Sequence, residues 1–220
     1  MKKLLLAAVA LTTVSLTASA QTRMTIHEEF TGENCGPCAA TNPDFWALCN
    51  SGTNPSKLIH IAYMAPIPSS GWYYMRNQAT NDARRSYYSV TSAPSGKYDG
   101  TATGSGHPAS FTQAHIDAEA AVPSPFNVTV ASNWNSTYDG VVTTVTVECV
   151  TAFATTTPGA FKLRAALIQT DNFDAPPGSN GETHFENVVQ AMYPDANGIT
   201  LPDSWTVGTT NTYTITGTMP

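Results

Sequence analysis

Two cysteines separated by two residues, Cys35-Gly36-Pro37-Cys38, constrain this 220-residue chain more than any other feature. They precede a run with helical spacing, so we expect the motif on the first turn of a helix. The unpaired N–H groups and the helix dipole there stabilise a thiolate at Cys35. Pro37 suits this position because a first-turn residue needs no N–H donor. Since such a pair exchanges between disulfide and dithiol, the motif predicts redox chemistry.

Two residues at fixed distances from the cysteines strengthen this interpretation. Glu29 lies six positions before Cys35, and Pro43 lies five positions after Cys38. Both spacings resemble the thioredoxin superfamily. The resemblance implies that Glu29, on the preceding strand, helps to deprotonate Cys38 and that Pro43 kinks the active-site helix. The chain departs from the family in having Glu29 for the usual Asp and Asn34 where a Trp commonly stands. A carboxylate buried near thiols is expected to have a raised pKa, which suits a proton acceptor near neutrality.

A further proline, Pro94, stands at the entry to a short strand that ends in an Asp99-Gly100 turn. It follows the second predicted helix, where thioredoxin-like folds carry a cis-proline. The resemblance therefore implies a cis Ala93–Pro94 bond in a loop against the dithiol, with the backbone of Ala93 pairing with an extended substrate chain. An ordinary trans-proline at a strand end is the alternative.

The first twenty residues predict export. Lys2-Lys3, an apolar run from Leu4 through Leu16 and Ala18-Ser19-Ala20 form a signal peptide over residues 1–20, and an uncleaved anchor is the alternative. The mature chain would carry eight basic and sixteen acidic residues, a net charge of about −8, which argues against a nucleic-acid partner. We expect a protein of the periplasm, of the outer membrane surface through peripheral association, or of the secreted fraction.

The pattern of the remaining chain predicts two domains. Residues 21–122 alternate strands and helices, including a crossover helix over about 72–88, as an α/β thioredoxin-like domain does. Residues 122–125 form a Pro-rich linker. Beyond it, alternating apolar positions among Thr, Val and Asn predict a small antiparallel, Ig-like β-sandwich over 123–220.

Most of the mature chain resembles a bacterial group. The lead Glu28-Glu29-Phe30-Thr31-Gly32, the dithiol motif and the β region that follows are similar to exported outer membrane proteins of the 28-kDa type. The second half agrees at 165–169, 187–189, 192–195 and Gly198, whereas Phe185-Glu186 departs from the His that related chains carry beside Asn187. Related chains continue with another sandwich strand, so the resemblance predicts an incomplete β sheet near Pro220 and a fragment.

The other two cysteines allow two interpretations. Cys49 and Cys149 are either buried structural residues or partners in a bridge across the domain interface. His60, on the predicted central strand, is expected to be packed or hydrogen-bonded in place rather than catalytic. No cofactor is predicted.

No metal site is predicted either. His107, His115 and His184 have no ligand spacing with the dithiol. Asp171, Asp174, Asn180, Glu182 and Glu186 match no calcium-binding spacing, so a solvated acidic loop is expected there.

These features predict a thiol–disulfide oxidoreductase that acts on exported protein clients. Cys35 attacks a client disulfide and Cys38 resolves the mixed disulfide, which requires Cys35 to be within reach of a foreign protein. The Gly36-Pro37 dipeptide resembles the reducing end of the family, with potentials of about −270 mV rather than about −120 mV. A reductase needs an unidentified redox partner as donor, so the direction stays open. The alternative is a non-catalytic, outer-membrane-associated binding or structural module with a permanent disulfide.

Overall fold

A computed structural model describes residues 21–100, 104–173 and 178–218 of the chain. The expected signal peptide over 1–20 lies outside the described residues. Within these residues the helices are α1 Gly36–Asn50, α2 Trp72–Arg76, α3 Gln78–Tyr87 and α4 Gln113–Ala120. The strands are β1 Gln21–Thr22, β2 Thr25–Thr31, β3 Leu58–Met64, β4 Ser95–Tyr98, β5 Pro123–Ser124, β6 Phe126–Trp134, β7 Gly140–Cys149, β8 Phe153–Ala154, β9 Lys162–Leu163, β10 Ala165–Asn172, β11 Phe185–Tyr193, β12 Ile199–Thr200, β13 Ser204–Trp205 and β14 Thr210–Thr218. No helix in the described ranges has the length and apolar character needed to cross a membrane.

A mixed five-stranded sheet with the order β10-β11-β3-β2-β4 forms the centre of the fold. β2 and β3 run parallel, β4 runs antiparallel to β2, and β11 joins β3 in parallel where Val188 meets Ala62. The expected separation between residues 21–122 and a sandwich at 123–220 does not hold for this sheet, because β10 and β11 come from the second range. The reason is burial: Val188 and Val189 pack into clusters on opposite faces, the environment of an internal strand.

The helix that carries the dithiol covers one face of this sheet. Cys35 is its N-cap and Pro37 lies within its first turn, as predicted. Its buried side chains Phe45 and Trp46 pack with the sheet residues in one apolar cluster. The helix ends where the Ser51 N–H donates to the Leu48 carbonyl, and the next residue is a glycine with positive φ, as a helix C-terminus favours.

The predicted crossover helix over 72–88 is two helices, α2 and α3. Asn77 separates them with a non-helical φ of −138°. Its side-chain amide donates to the Val189 carbonyl at 3.1 Å, which ties the break to β11. The two helices still connect β3 to β4 as the α/β pattern requires.

The region beyond α4 forms several small antiparallel sheets. β6, β7 and β14 make a three-stranded sheet, β8 pairs with β13, and β9 pairs with β12. These elements share a second hydrophobic core of Val145, Val147, Cys149, Leu201, Trp205 and Ile215. The expected linker is partly a strand, since β5 pairs with β1. β14 pairs along its whole length with β7 and has no second neighbour among the described strands.

Gly96 on β4 allows a close approach of the buried His27 ring. A Cβ at residue 96 would lie 2.5 Å from His27 Cε1, and the ring centroids of Phe45 and Phe111 lie 4.7 Å from that of His27, which leaves the ring little room to move. We expect Gly96→Ala to lower the free energy of unfolding by about 1–3 kcal/mol, the cost of overpacking. Urea denaturation measures the change. Gly36→Ala, where the added Cβ meets no atom within 4 Å, is the matched control. Equal losses in both variants would contradict the steric explanation.

Candidate redox site at the start of the first helix

The two cysteines of the motif form a disulfide at the N-terminus of α1. Their Cα atoms are 5.2 Å apart. The Cys38 backbone N–H donates to the Cys35 carbonyl at 3.1 Å and to Cys35 Sγ at 3.2 Å, so a helix-end amide contacts the sulfur that was predicted to be the nucleophile. In the reduced state the same N–H would stabilise a thiolate on Cys35.

Glu29 lies fully buried on β2, on the face that α1 covers. Its Oε2 accepts a hydrogen bond from Trp46 Nε1 of α1 at 3.2 Å and lies 2.9 Å from His60 Nε2 of β3. Its Oε1 has no hydrogen-bond partner among the described residues. A buried carboxylate oxygen without a partner costs free energy, so this oxygen is a feature that folding alone does not explain.

His60 is hydrogen-bonded in place, as the sequence analysis expected, and its two ring nitrogens have different partners. Nδ1 lies 3.3 Å from Asn187 Nδ2, while Nε2 faces Glu29. If the Asn187 amide donates to Nδ1, the neutral ring carries its proton on Nε2 and donates it to Glu29. A chain of three side chains, Asn187–His60–Glu29, therefore runs from β11 to the carboxylate on β2.

His27 lies beside this chain and does not extend it. Its ring is fully buried, and neither ring nitrogen has a hydrogen-bond partner among the described residues. Burial, followed by the neighbouring His60, lowers the pKa of His27 to about 3, so the ring is neutral at physiological pH. Because the pKa in the folded state lies below that in the unfolded state, we expect His27 to reduce stability as the pH falls below about 6.5.

The Ala93–Pro94 peptide bond is cis, as the family resemblance implied. In the β2–β4 ladder Phe30 pairs with Ser95, which places Pro94 beside the end of β2, at the sheet edge from which the chain leads to Cys35. Pro43 lies inside α1. The substrate-holding role of Ala93 and Pro94 and the kinking role of Pro43 stay predictions.

Cys35 is not accessible in this state, contrary to the expectation that it lies within reach of a foreign protein. Only 1% of its surface is exposed, and Cys38 is fully buried. Residues 178–182, here called the cover segment, lie on the turn 32–35 that leads into α1. Asn180 makes the central contacts: its Nδ2 donates to the carbonyls of Gly32 and Cys35 at 3.1 and 3.2 Å, and its N–H donates to the Glu33 carbonyl at 3.3 Å.

Two further contacts fix the cover segment on this turn. The Ser179 N–H donates to Asn34 Oδ1 at 2.9 Å. Gly178 lies so close to the turn that an added Cβ would clash with the Glu33 carbonyl oxygen. These contacts are not predicted by the sequence pattern, although Gly178 and Asn180 are residue types typical of tight loops.

The Glu33 side chain holds the other side of this turn. Its Oε1 accepts the backbone N–H groups of Trp72 and Tyr73, at the N-terminus of α2, at 2.8 and 3.1 Å. Burial raises the pKa of this carboxyl, and the backbone N–H groups oppose that shift. The turn before Cys35 is thus fixed between α2 and the cover segment.

Glu182 is a second carboxylate near the dithiol that the sequence analysis assigned to a solvated loop. Its Oε1 accepts from Asn42 Nδ2 at 2.7 Å and its Oε2 from Asn180 Nδ2 at 2.5 Å. Burial, together with a smaller effect of the Glu29 charge, raises the pKa of Glu182 to about 7 against the opposing effect of the two amide hydrogen bonds. Glu182 also lines an open groove of about 460 Å³ between α1 and the start of β11, together with Pro43 and Trp46.

The remaining acidic residues of that loop are dispersed rather than gathered. Asp171 pairs with His184 at 3.1 Å, and Glu186 accepts from Asn50 at 2.7 Å. Asp174 lies outside the described residues. Among residues 21–100, 104–173 and 178–218, no group of three or more His, Cys, Asp or Glu side chains is arranged to hold a metal ion.

Cys49 and Cys149 are both free and buried, so the bridge considered from sequence is absent here. Cys49 belongs to the cluster under α1, whereas Cys149 belongs to the core of the second β region. Burial raises the pKa of Cys49, and nearby Glu29 and Glu186 raise it further, so its thiol is unreactive at neutral pH.

The structure is similar to HBP35 of Porphyromonas gingivalis. The TM-score is 0.68 at 13% sequence identity, and the match covers 90% of this chain and 64% of that chain. At this identity the similarity shows a shared mixed α/β fold, and the chain spans less than two thirds of the length of that protein. No protein-family profile and no curated protein sequence matches the chain.

Proposed function

We propose that this protein is an exported thiol–disulfide oxidoreductase acting on proteins of the cell envelope. The observation that supports it most is the combination of a Cys35–Cys38 disulfide at a helix start with a buried carboxylate, Glu29, beneath the same helix. One oxygen of that carboxylate has no partner among the described residues, so it is free to take or give a proton. The thioredoxin resemblance implies that the Ala93–Pro94 loop, which lies beside the end of β2, holds the client chain.

The proposed exchange reduces a client disulfide in two steps. In the reduced protein the Cys35 thiolate attacks a client disulfide, forms a mixed disulfide and releases one client thiolate. Glu29 takes the proton of Cys38, whose sulfur then attacks Cys35 Sγ, closes the Cys35–Cys38 bond and releases the second client sulfur. Two electrons pass from the protein to the client, and the two client thiolates take up the two protons. The reverse sequence oxidises a client dithiol, and a donor dithiol protein would return this protein to its reduced state.

Export is part of the proposal and rests on the sequence of residues 1–20. A disulfide between Cys35 and Cys38 agrees with an oxidising compartment. The resemblance to outer membrane proteins of the 28-kDa type supports a thioredoxin-like unit with an attached β module, and a location in the periplasm, at the outer membrane or outside the cell.

One observation favours a second candidate, a non-catalytic module with a permanent disulfide. Both cysteines are buried and the cover segment contacts the Cys35 backbone. A structural disulfide needs no access, whereas an enzyme must open this site.

Replacement of Cys38 by Ser separates the two candidates. For the enzyme we expect Cys38→Ser to accumulate mixed disulfides between Cys35 and exported client proteins, because the resolving sulfur is missing. The measurement is non-reducing electrophoresis of the exported fraction, with catalysed insulin reduction by dithiothreitol as the activity assay. The matched control, Cys35→Ser with Cys38→Ser, should trap nothing. Absence of trapping and of insulin reduction, with a Cys35 thiol pKa near its ordinary value of about 8.5, would support the module.

A further inference from the structure

The cover segment contacts the turn 32–35, here called the dithiol turn, mainly through the side chain of Asn180. Asn180 Nδ2 contacts the carbonyls of Gly32 and Cys35 and donates to Glu182 Oε2. The Asn180 Oδ1 in turn accepts the Glu182 N–H at 2.9 Å. Asn180 is therefore oriented by Glu182 on one side and holds the Cys35 backbone on the other.

Glu182 also ties the cover segment to α1. Its second oxygen accepts from Asn42 Nδ2, and the same amide contacts Thr31 Oγ1 at 3.1 Å at the end of β2. Asn42 lies one helical turn after Cys38. The carboxyl group of Glu182 is thus the point at which the cover segment, α1 and β2 are joined.

The surroundings of Glu182 make its ionisation costly while the segment is in place. The titratable groups that face it are Glu29 of β2, and His184 and Glu186 along the groove. α1 presents amides and the Trp46 indole instead of cations. A segment that leaves the turn would carry Glu182 into water, where the carboxylate is fully solvated.

We propose that Glu182 is a positioning residue that couples access to Cys35 to pH, because ionisation of its carboxyl group favours departure of the cover segment from the dithiol turn. The inference deepens the proposed function, since it names what regulates entry to that site. The sign follows from the raised pKa of about 7 in the closed state. A carboxyl group that binds its proton more tightly when closed stabilises the closed state at low pH, and this stabilisation is lost as the pH rises from about 4.5 to about 7.

The direct test is the rate at which a water-soluble phosphine reduces the Cys35–Cys38 disulfide in the folded, full-length mature protein between pH 5 and pH 8. The rate of the wild-type protein is divided by that of Glu182→Gln, which cancels the titration of the reagent. The amide of this variant stays neutral throughout, so we expect the ratio to rise by roughly tenfold or more across this range, because each unit of pKa difference corresponds to a tenfold change in the opening equilibrium. A flat ratio would overturn the proposal.

Two further variants keep the result interpretable. Glu186→Gln removes another carboxylate of the same groove, one that accepts a hydrogen bond only from Asn50 among the described residues. The ratio of the wild-type rate to the Glu186→Gln rate should not change with pH. Gly178→Ala forces the segment away from the Glu33 carbonyl by contact, so its disulfide should be reduced faster than wild type at pH 5, with a weaker pH dependence. Slow reduction of Gly178→Ala at pH 5 would show that this segment does not limit access.

The phosphine assay also separates this inference from the proposed function. It needs no protein client, so a rising ratio together with a failed Cys38→Ser trap would leave the pH-dependent cover in place and refute the enzyme. A flat ratio with successful trapping would refute the role of Glu182 alone.

Discussion

Replacing Glu29 by Gln will slow thiol–disulfide exchange at the Cys35–Cys38 pair by about 10²–10⁴-fold, the range for loss of a positioned general acid–base group. The carboxylate is fully buried, and its Oε1, which has no partner among the described residues, is the atom to which the proposed function assigns proton exchange with Cys38. An amide keeps the size of the side chain and cannot accept that proton. Single-turnover reduction of an insulin disulfide by the reduced protein, followed from pH 6 to pH 9, measures the loss.

The fold should accept Glu29→Gln because both hydrogen bonds of Glu29 end on one oxygen, Oε2. With its carbonyl oxygen in that place, glutamine still accepts from Trp46 Nε1 and from a proton on His60 Nε2. Its amide nitrogen then takes the place of Oε1, which has no partner among the described residues, and the contact between Asn187 and His60 is unchanged. We therefore expect the free energy of unfolding to change by less than about 1 kcal/mol, the net value of one hydrogen bond. An unchanged exchange rate, or a slow rate that merely accompanies unfolding, would show that Glu29 handles no proton.

The parts of the site that the sequence predicted are those that local spacing determines. The dithiol, its position at the start of α1 and the buried Glu29 all lie within ten residues of one another, and the helix start and strand end follow from caps and burial patterns. Pro94 was placed from the family resemblance, and its cis bond is observed. These features need no knowledge of how distant strands are arranged.

The parts that were missed come from residues 140 or more positions away. Asn180 contacts the Cys35 carbonyl across 145 positions, and Glu182 contacts Asn42 across 140. Taken alone, a polar loop with Gly, Asn and Glu resembles a solvated loop, because its partners are backbone carbonyls that leave no trace in the sequence pattern. The assignment of β10 and β11 to the first sheet would have required knowing which edge of β3 was still open.

The same long-range arrangement explains why a reactive motif is found in a buried state. β10 and β11 are joined at the sheet edge opposite the dithiol, where Asn172 pairs with Phe185, and residues 178–184 of the connection run along α1 up to the turn before Cys35. The segment that does so carries Asn180 and Glu182 onto the turn before Cys35. The added β region thus changes the chemistry of the site by supplying Asn187 to the His60–Glu29 pair and a cover to the cysteines.

Replacing Arg84 by Met will lower the free energy of unfolding by about 3–5 kcal/mol, the cost of leaving one partner of a buried ion pair without the other. Arg84 Nε and Nη2 bond the two oxygens of Glu28 at 2.6 and 2.8 Å, on the face of the sheet opposite Glu29. The Tyr88 hydroxyl donates to the same carboxylate at 2.5 Å, and the guanidinium stacks 4.7 Å from the Tyr88 ring centroid. Removing Arg84 leaves a buried negative charge whose remaining hydrogen-bond partners are the neutral hydroxyls of Tyr88 and Tyr63. Urea denaturation at pH 7 measures the loss.

The double variant Glu28→Leu with Arg84→Met supplies the control. Both charges are then absent and the side chains keep similar volumes, so we expect most of the lost stability to return, as replacement of whole buried ion pairs by apolar residues often gives. A double variant no more stable than Arg84→Met would mean that the lost packing of the Arg84 guanidinium over the Tyr87 and Tyr88 rings, and not the unpaired charge, sets the cost.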